Sequence, residues 1–216
     1  MLTLYTYFRS SAAFRVRIAL NLKKLLWQPE VVWLPTGEQA AEPYQTINPQ
    51  ALVPTLVEEG HHLAQSMAII EYLDETHPAP PLLAGSPRDR ARIRSLAQLV
   101  SCDIHPVNNL RILKYLKHQM GQTQDAIDTW YRHWCVEGLS GYERQLADGG
   151  AGDFSHGAQV SLADVCLVPQ IFNAQRFDVD MDRFPATLAI FNRCMTLPAF
   201  DAAQPSKQPE ASRAQG

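Results

Sequence analysis

Two periodicities divide this chain, and the divide falls on a proline-rich stretch. Before it, short β-rich runs of alternating apolar and polar residues are interleaved with runs of helical spacing. From Arg88 onward only the helical spacing remains. The residues between, Pro78 to Pro87, carry neither period and suit a linker. This pattern predicts a small mixed α/β domain over residues 1–78 and an all-helical domain over residues 87–205. The small, polar segment 206–216 is expected to be disordered.

Within the first part, Leu2 to Tyr7 alternates and reads as a strand, and Phe14, Ile18 and Leu22 mark one face of a helix. Trp27 to Leu34 reads as a second strand, with Pro29 at its start or on an edge. A helical turn is expected near Glu42 to Gln45. Leu52 to Val57 reads as a third strand interrupted by Pro54, and His61 to Leu63 as a short fourth. A helix then runs from Gln65-Ser66 to about His77. The second part predicts a long helix over 88–118 kinked at Pro106, and another over 124–147. A third opens at the capping box Ser161 to Asp164 and is kinked by Pro169, and a fourth covers Pro185 to Met195.

Composition narrows the function. The 216 residues, 46% hydrophobic, suffice for one large or two small cores. A net charge of −3 gives no electrostatic reason to bind nucleic acid or a membrane surface. No apolar run reaches bilayer length, and the N-terminus lacks a signal-peptide pattern. Cys102, Cys135, Cys166 and Cys194 lie far apart, without zinc-site spacing, and read as free thiols of a cytoplasmic protein. There is no Gly-rich phosphate loop, no HExxH and no GxSxG, so neither a metal site nor a nucleotide or serine-hydrolase site is expected.

Several stretches admit both a structural and a chemical reading. Ser10 and Ser11, between the first strand and helix and flanked by Arg9 and Arg15, are either a cap among solvated arginines or a site for a thiolate or carboxylate. Val53-Pro54 is either a trans proline on an edge strand or a cis bond that turns the Val53 N–H and C=O outward. Ser66, after Gln65, is an ordinary helix cap or a carboxylate acceptor. Asp103, His105, Asn108, Asn109 and Arg111 cluster around Pro106, as solvated polar residues or as the wall of a polar site. Arg176 suits the C-terminal end of its helix.

Taken together, these stretches resemble the zeta-class glutathione transferases. Tyr7-Phe8-Arg9-Ser10-Ser11, Arg15 to Leu20, Asn48-Pro49, Val53 to Leu56 and Gln65 to Leu73 carry the likeness in the first half. Leu162 to Gln170 and Arg176 to Asp180 carry it in the second. Asp103 to Asn109 is similar to the bacterial maleylacetoacetate and maleylpyruvate isomerases of that class. The resemblance runs to about Gln208. It implies a thioredoxin-like N-terminal domain, an all-α C-terminal domain, a homodimer and glutathione as cofactor. It further implies a cis Val53-Pro54 bond, with Val53 pairing the cysteinyl backbone of glutathione, Gln65 and Ser66 holding its γ-glutamyl end, and Gln50, Asp103 and His105 contributing, Asp103 from the partner subunit. Ser10 or Ser11 faces the sulfur, Arg9 and Arg176 act on the substrate, and Asn108, Asn109 and Arg111 help to bind it. Ala12 stands where the zeta motif often has cysteine, which counts against a role for a protein thiol.

The activity so implied is cis–trans isomerisation of a maleyl keto-diacid, maleylacetoacetate or alternatively maleylpyruvate, in aromatic catabolism. A thiolate added to the conjugated double bond leaves a rotatable single bond, and its expulsion gives the fumaryl isomer. Such a site needs a hydroxyl donor and a helix N-terminus for the thiolate, and arginines for a dianion. A transferase acting on electrophiles or α-haloacids is the alternative activity, and a non-catalytic binding module on the same fold the alternative class.

Overall fold

The computed structural model describes residues 1–214. The chain forms two compact units, one of residues 1–81 with the segment from Thr196 onward, the other of residues 82–195.

The first unit begins with β1 (Leu2–Thr6), α1 (Ser11–Leu22), β2 (Trp27–Val31), α2 (Glu42–Gln45), β3 (Thr55–Glu58), β4 (His61–Ala64) and α3 (Ser66–Thr76). Its strands lie in the order β2-β1-β3-β4. β1 and β2 are parallel, whereas β3 is antiparallel to both β1 and β4. This is a thioredoxin-like βαβ–ββα unit. Leu2, Leu4 and Thr6 of central β1 are buried, as alternation requires. Pro29 sits opposite Leu4 on the edge strand β2, where a missing N–H leaves no second neighbour unserved. The second strand is shorter than its β-rich sequence predicts: it stops at Val31, and Leu34–Thr36 already forms a 3-10 turn around Pro35.

Helix α1 is buried on nearly every face, including Arg15 and Arg17, so the expectation of solvated arginines fails for Arg15. Lys23, just past its end, donates to Asp74 Oδ1 (2.8 Å) and to the carbonyls of His77 (2.6 Å) and Pro80 (2.9 Å). These bonds tie the stretch after α3 to α1 and account for the unit extending to residue 81 rather than 78.

The second unit contains α4 (Pro87–Gln98), a π-helical turn (Leu99–Ile104), α5 (His105–Val107), α6 (Leu110–His118), α7 (Gln124–Ala147), α8 (Leu162–Arg176) and α9 (Pro185–Met195). Among its described residues there is no strand. The single kinked helix expected over 88–118 is instead interrupted. Pro106 offers no N–H to Cys102; the helix widens before it, with His105 N–H bonded to Val100 O, five residues back. It ends at Asn108, and Asn109 caps the restart by accepting from Arg111 N–H at 3.1 Å. Pro169 does not act in the same way: α8 passes through it as one helix. At the start of α8 the buried Asp164 carboxylate accepts from the Ser161 N–H and Oγ and from the Ser155 N–H, all at 2.8 Å.

The last segment corrects the sequence reading. Helix α10 (Pro198–Ala203) belongs to the first unit, not the helical one, and packs on α1. Phe200 and Ala203 are buried, and Asn21 Nδ2 donates to Ala199 O at 3.0 Å. The tail expected to be disordered from 206 forms 3-10 turns at Pro205–Lys207 and Pro209–Ala214, with Glu210 buried. A short polar segment looks unstructured in sequence because the surface that orders it lies far away along the chain. Residues 215 and 216 of that expectation lie outside the described residues.

Candidate functional site

In the first unit the candidate residues gather at two helix starts and one strand entrance. β1 leads through Tyr7 to Arg9 into α1, and Ser10 N–H bonds Tyr7 O at 2.9 Å. Ser10 is the N-cap: its Oγ accepts from Ala13 N–H at 3.2 Å. Accepting uses a lone pair, so the hydroxyl proton remains available to donate. Ser10 is half-buried and Ser11 buried. Arg9 is exposed, its guanidinium 5.1 Å from the Phe8 ring centroid. No acidic residue stands in the first turn of α1 or α3, so neither helix dipole is met by a carboxylate of its own helix.

The Val53-Pro54 bond is cis, and a second cis bond, Ala79-Pro80, was not foreseen from the sequence. Residues on both sides of Val53 are braced. Leu52 O accepts from Tyr44 Oη (2.6 Å) and Asn48 Nδ2 (2.8 Å), and Tyr44 Oη bonds Thr55 Oγ1 at 3.0 Å. β3 begins only at Thr55, and among the described residues nothing pairs with the Val53 N–H or C=O. A fixed residue with an open donor and acceptor suits an extended, peptide-like ligand.

Gln65 is the N-cap of α3, with φ of 70° and ψ of 115°. That conformation costs a non-glycine residue about 1–3 kcal/mol, a strain that concentrates at functional sites. Its exposed side chain donates to Gln50 Oε1 at 2.8 Å, so these two candidates meet. Ser66 is the first residue inside α3 rather than its cap. Its buried Oγ accepts instead from Arg15 Nη1 at 3.4 Å. Arg15 thus brings a cation to the start of α3, whereas the sequence reading left it either solvated or flanking an anion site at Ser10 and Ser11. The repeated Arg-Val-Arg within an otherwise apolar helix was the signal available.

In the second unit the Pro106 cluster splits. Asp103 and Arg111 are exposed, while His105 and Asn109 are half-buried and meet at 3.4 Å between Nε2 and Nδ2. Asn108 points the other way. It is buried, and its Nδ2 donates to Tyr131 O (3.2 Å) and Cys135 Sγ (3.5 Å), while Gln170 Nε2 donates to the same sulfur at 3.3 Å. Burial pushes the Cys135 thiol up to about 12, so it remains protonated at neutral pH. Asn108 therefore pins the broken helix to α7, whose Cys135 sulfur also accepts from Gln170 of α8. Arg176, in the last turn of α8, is exposed, lies 5.2 Å from the Phe177 ring centroid and donates to Asn173 Oδ1 at 3.3 Å. Phe177 in turn stacks on Tyr131 at 3.7 Å. These contacts orient a guanidinium that stays accessible to an anion.

Known proteins resemble this chain in sequence and in fold. The family model for the glutathione S-transferase N-terminal domain matches residues 4–81. A probable maleylacetoacetate isomerase of Vibrio cholerae is 48% identical, over 97% of this chain and 98% of its own. The solved holo structure of a maleylpyruvate isomerase, described as a bacterial zeta-class glutathione S-transferase, superposes with a TM-score of 0.94 at 42% identity, covering 96% of this chain and 99% of that one. A maleylacetoacetate isomerase of Methylobacterium extorquens AM1, solved with bound malonate and glutathione, gives 0.93 at 38% identity over 96% and 98% of the two chains. Identity of this extent over nearly the whole chain places it in the zeta-class glutathione transferase family.

Proposed function

We propose that this protein is a glutathione-dependent cis–trans isomerase of a maleyl keto-diacid, of the maleylacetoacetate and maleylpyruvate isomerase type, serving aromatic catabolism in the cytoplasm. The observation that carries the reading is the braced, unpaired backbone of Val53 in the same unit as the Ser10 cap and the Gln65–Ser66 helix start. The three parts match the three parts of glutathione: a central peptide, a thiol and an amino-acid end.

Bound glutathione supplies a thiolate that adds reversibly to the conjugated double bond. Ser10 donates its free hydroxyl proton towards the sulfur, and the N-terminus of α1 favours the anion. Ser11, being buried, takes the supporting position behind it. Val53 pairs the cysteinyl backbone, while Ser66, with Arg15 behind it, and the Gln65–Gln50 pair receive the γ-glutamyl end. Arg9 and Arg176 bind the carboxylates of the substrate and oppose the charge that develops on its keto oxygen. Asn109 and Arg111 belong to the substrate wall, Asn108 holds its backbone, and His105, which meets Asn109, contributes to the glutathione site. The chain acts as a homodimer in which Asp103 serves the partner's glutathione.

The test follows the absorbance of a maleyl keto-acid coupled to the matching fumaryl hydrolase, with and without glutathione. Turnover that requires glutathione without consuming it is the expected result. An equal rate without thiol overturns the reading, and consumption of glutathione in step with substrate replaces it with the transferase. Comparing maleylacetoacetate with maleylpyruvate ranks the two substrates. Sedimentation of a fully active monomer at micromolar concentration would remove the shared role of Asp103.

A further inference from the structure

Arg17 is fully buried in α1 and bonds no ligand-facing side chain among the candidates. Its guanidinium is used up on backbone and one hydroxyl. Nη2 donates to Phe8 O (3.0 Å), Nη1 to Thr6 Oγ1 (3.1 Å) and Tyr7 O (3.4 Å), and Nε to Ala203 O (3.0 Å). Tyr7 O is the same carbonyl that accepts the Ser10 N–H. A side chain two turns into α1 therefore reaches back and fixes the loop that delivers the cap of its own helix. Its fourth acceptor, Ala203 O, is the final carbonyl of α10, a helix end that a cation stabilises.

A guanidinium at this depth needs a counter-charge. Burial pushes Arg17 down to about 9, and the Glu210 carboxylate is the charge that opposes the shift. Glu210 is buried on the 3-10 turn Pro209–Ala214, and among the described residues its Oε1 has no hydrogen-bond partner.

We propose that Arg17 is a positioning residue for Ser10: by holding the Tyr7 and Phe8 carbonyls it fixes the loop that delivers the cap of α1. The activity arm of this inference rests on the proposed glutathione reading; the structural arm does not.

Two measurements on Arg17→Gln and on Arg17→Lys test it. Amide hydrogen exchange without glutathione isolates the structural arm. Exchange of the Ser10 and Ala13 N–H groups is expected to speed up about tenfold or more, while the β3–β4 pair Leu56 and Leu63 keeps its protection. With glutathione, the thiolate absorbance is titrated against pH. The bound thiol pKa is expected to rise by about half a unit or more and kcat to fall about threefold or more, with the KM for glutathione little changed. Arg17→Lys, which keeps the charge but cannot span four acceptors, should share these losses with Arg17→Gln. Unchanged exchange at Ser10 and Ala13, or exchange raised uniformly through the unit, overturns the proposal. So does an unchanged thiol pKa in a protein whose wild type binds glutathione. A wild type that fails to bind glutathione removes the parent reading and leaves the exchange arm standing.

Discussion

Ser10 is assigned two jobs, and they separate by substitution. As N-cap its oxygen accepts from Ala13 N–H; as donor its proton serves the sulfur. Ser10→Ala removes both. Loss of the cap costs about 1 kcal/mol. Loss of a hydrogen bond to a charged group costs about 1.5–3 kcal/mol, equivalent to about one to two pKa units on the bound thiol. At neutral pH the thiolate fraction, and with it kcat, should fall about 10- to 100-fold, and the rising limb of the pH–rate profile should move up by the same one to two units. Ser10→Asp separates the roles. Aspartate is as good a cap as serine and suits the helix dipole, so urea unfolding should show stability within about 0.5 kcal/mol of wild type. Yet an ionised carboxylate only accepts, and it repels a thiolate, so turnover should drop at least as far as in Ser10→Ala. The assays are urea denaturation and the coupled isomerase rate from pH 5 to 9. Wild-type turnover by a stably folded Ser10→Asp protein would refute the donor role.

Other expectations follow from single contacts. Ser66→Ala deprives the buried Arg15 of one acceptor, a long bond at 3.4 Å, so the stability loss should be about 1 kcal/mol, and glutathione affinity by calorimetry should fall about tenfold; an unchanged affinity would displace the γ-glutamyl end from Ser66. Arg176→Ala should raise the substrate KM about tenfold or more while changing stability by under about 0.5 kcal/mol, because the side chain is exposed and its bond to Asn173 is long. An aromatic disulfide reagent should titrate one thiol, Cys102, in the native protein and four after unfolding, since Cys135, Cys166 and Cys194 are buried and burial raises the thiols of Cys135 and Cys194.

The local chemistry of this protein was legible in its sequence. The alternation of Leu2 to Thr6, the serine before α1, the Glu42–Gln45 turn and the spans Gln124–Ala147 and Pro185–Met195 are set by neighbours within a few residues. So is the capping box of Ser161 and Asp164. The Pro106 break was legible as a disturbance but not in its form. Whether a helix kinks, or widens and restarts as it does at Asn109, depends on what packs around it, here Tyr131, Cys135 and Gln170. The same limit applies at Ser66, which reads as a cap but became the acceptor of an arginine 51 residues earlier. Arg15 and Arg17 illustrate it further. Charged residues spaced two apart on a helix read as solvated, and only the closing of β1, α3 and α10 around α1 leaves them dry, with acceptors that the sequence does not place nearby. The terminus shows why most plainly. Nothing local in residues 205–214 calls for order, yet the segment folds into 3-10 turns with Pro205 and Glu210 buried. Sequence specifies the bonds a residue can satisfy with its neighbours, and tertiary structure decides the partners of those it cannot.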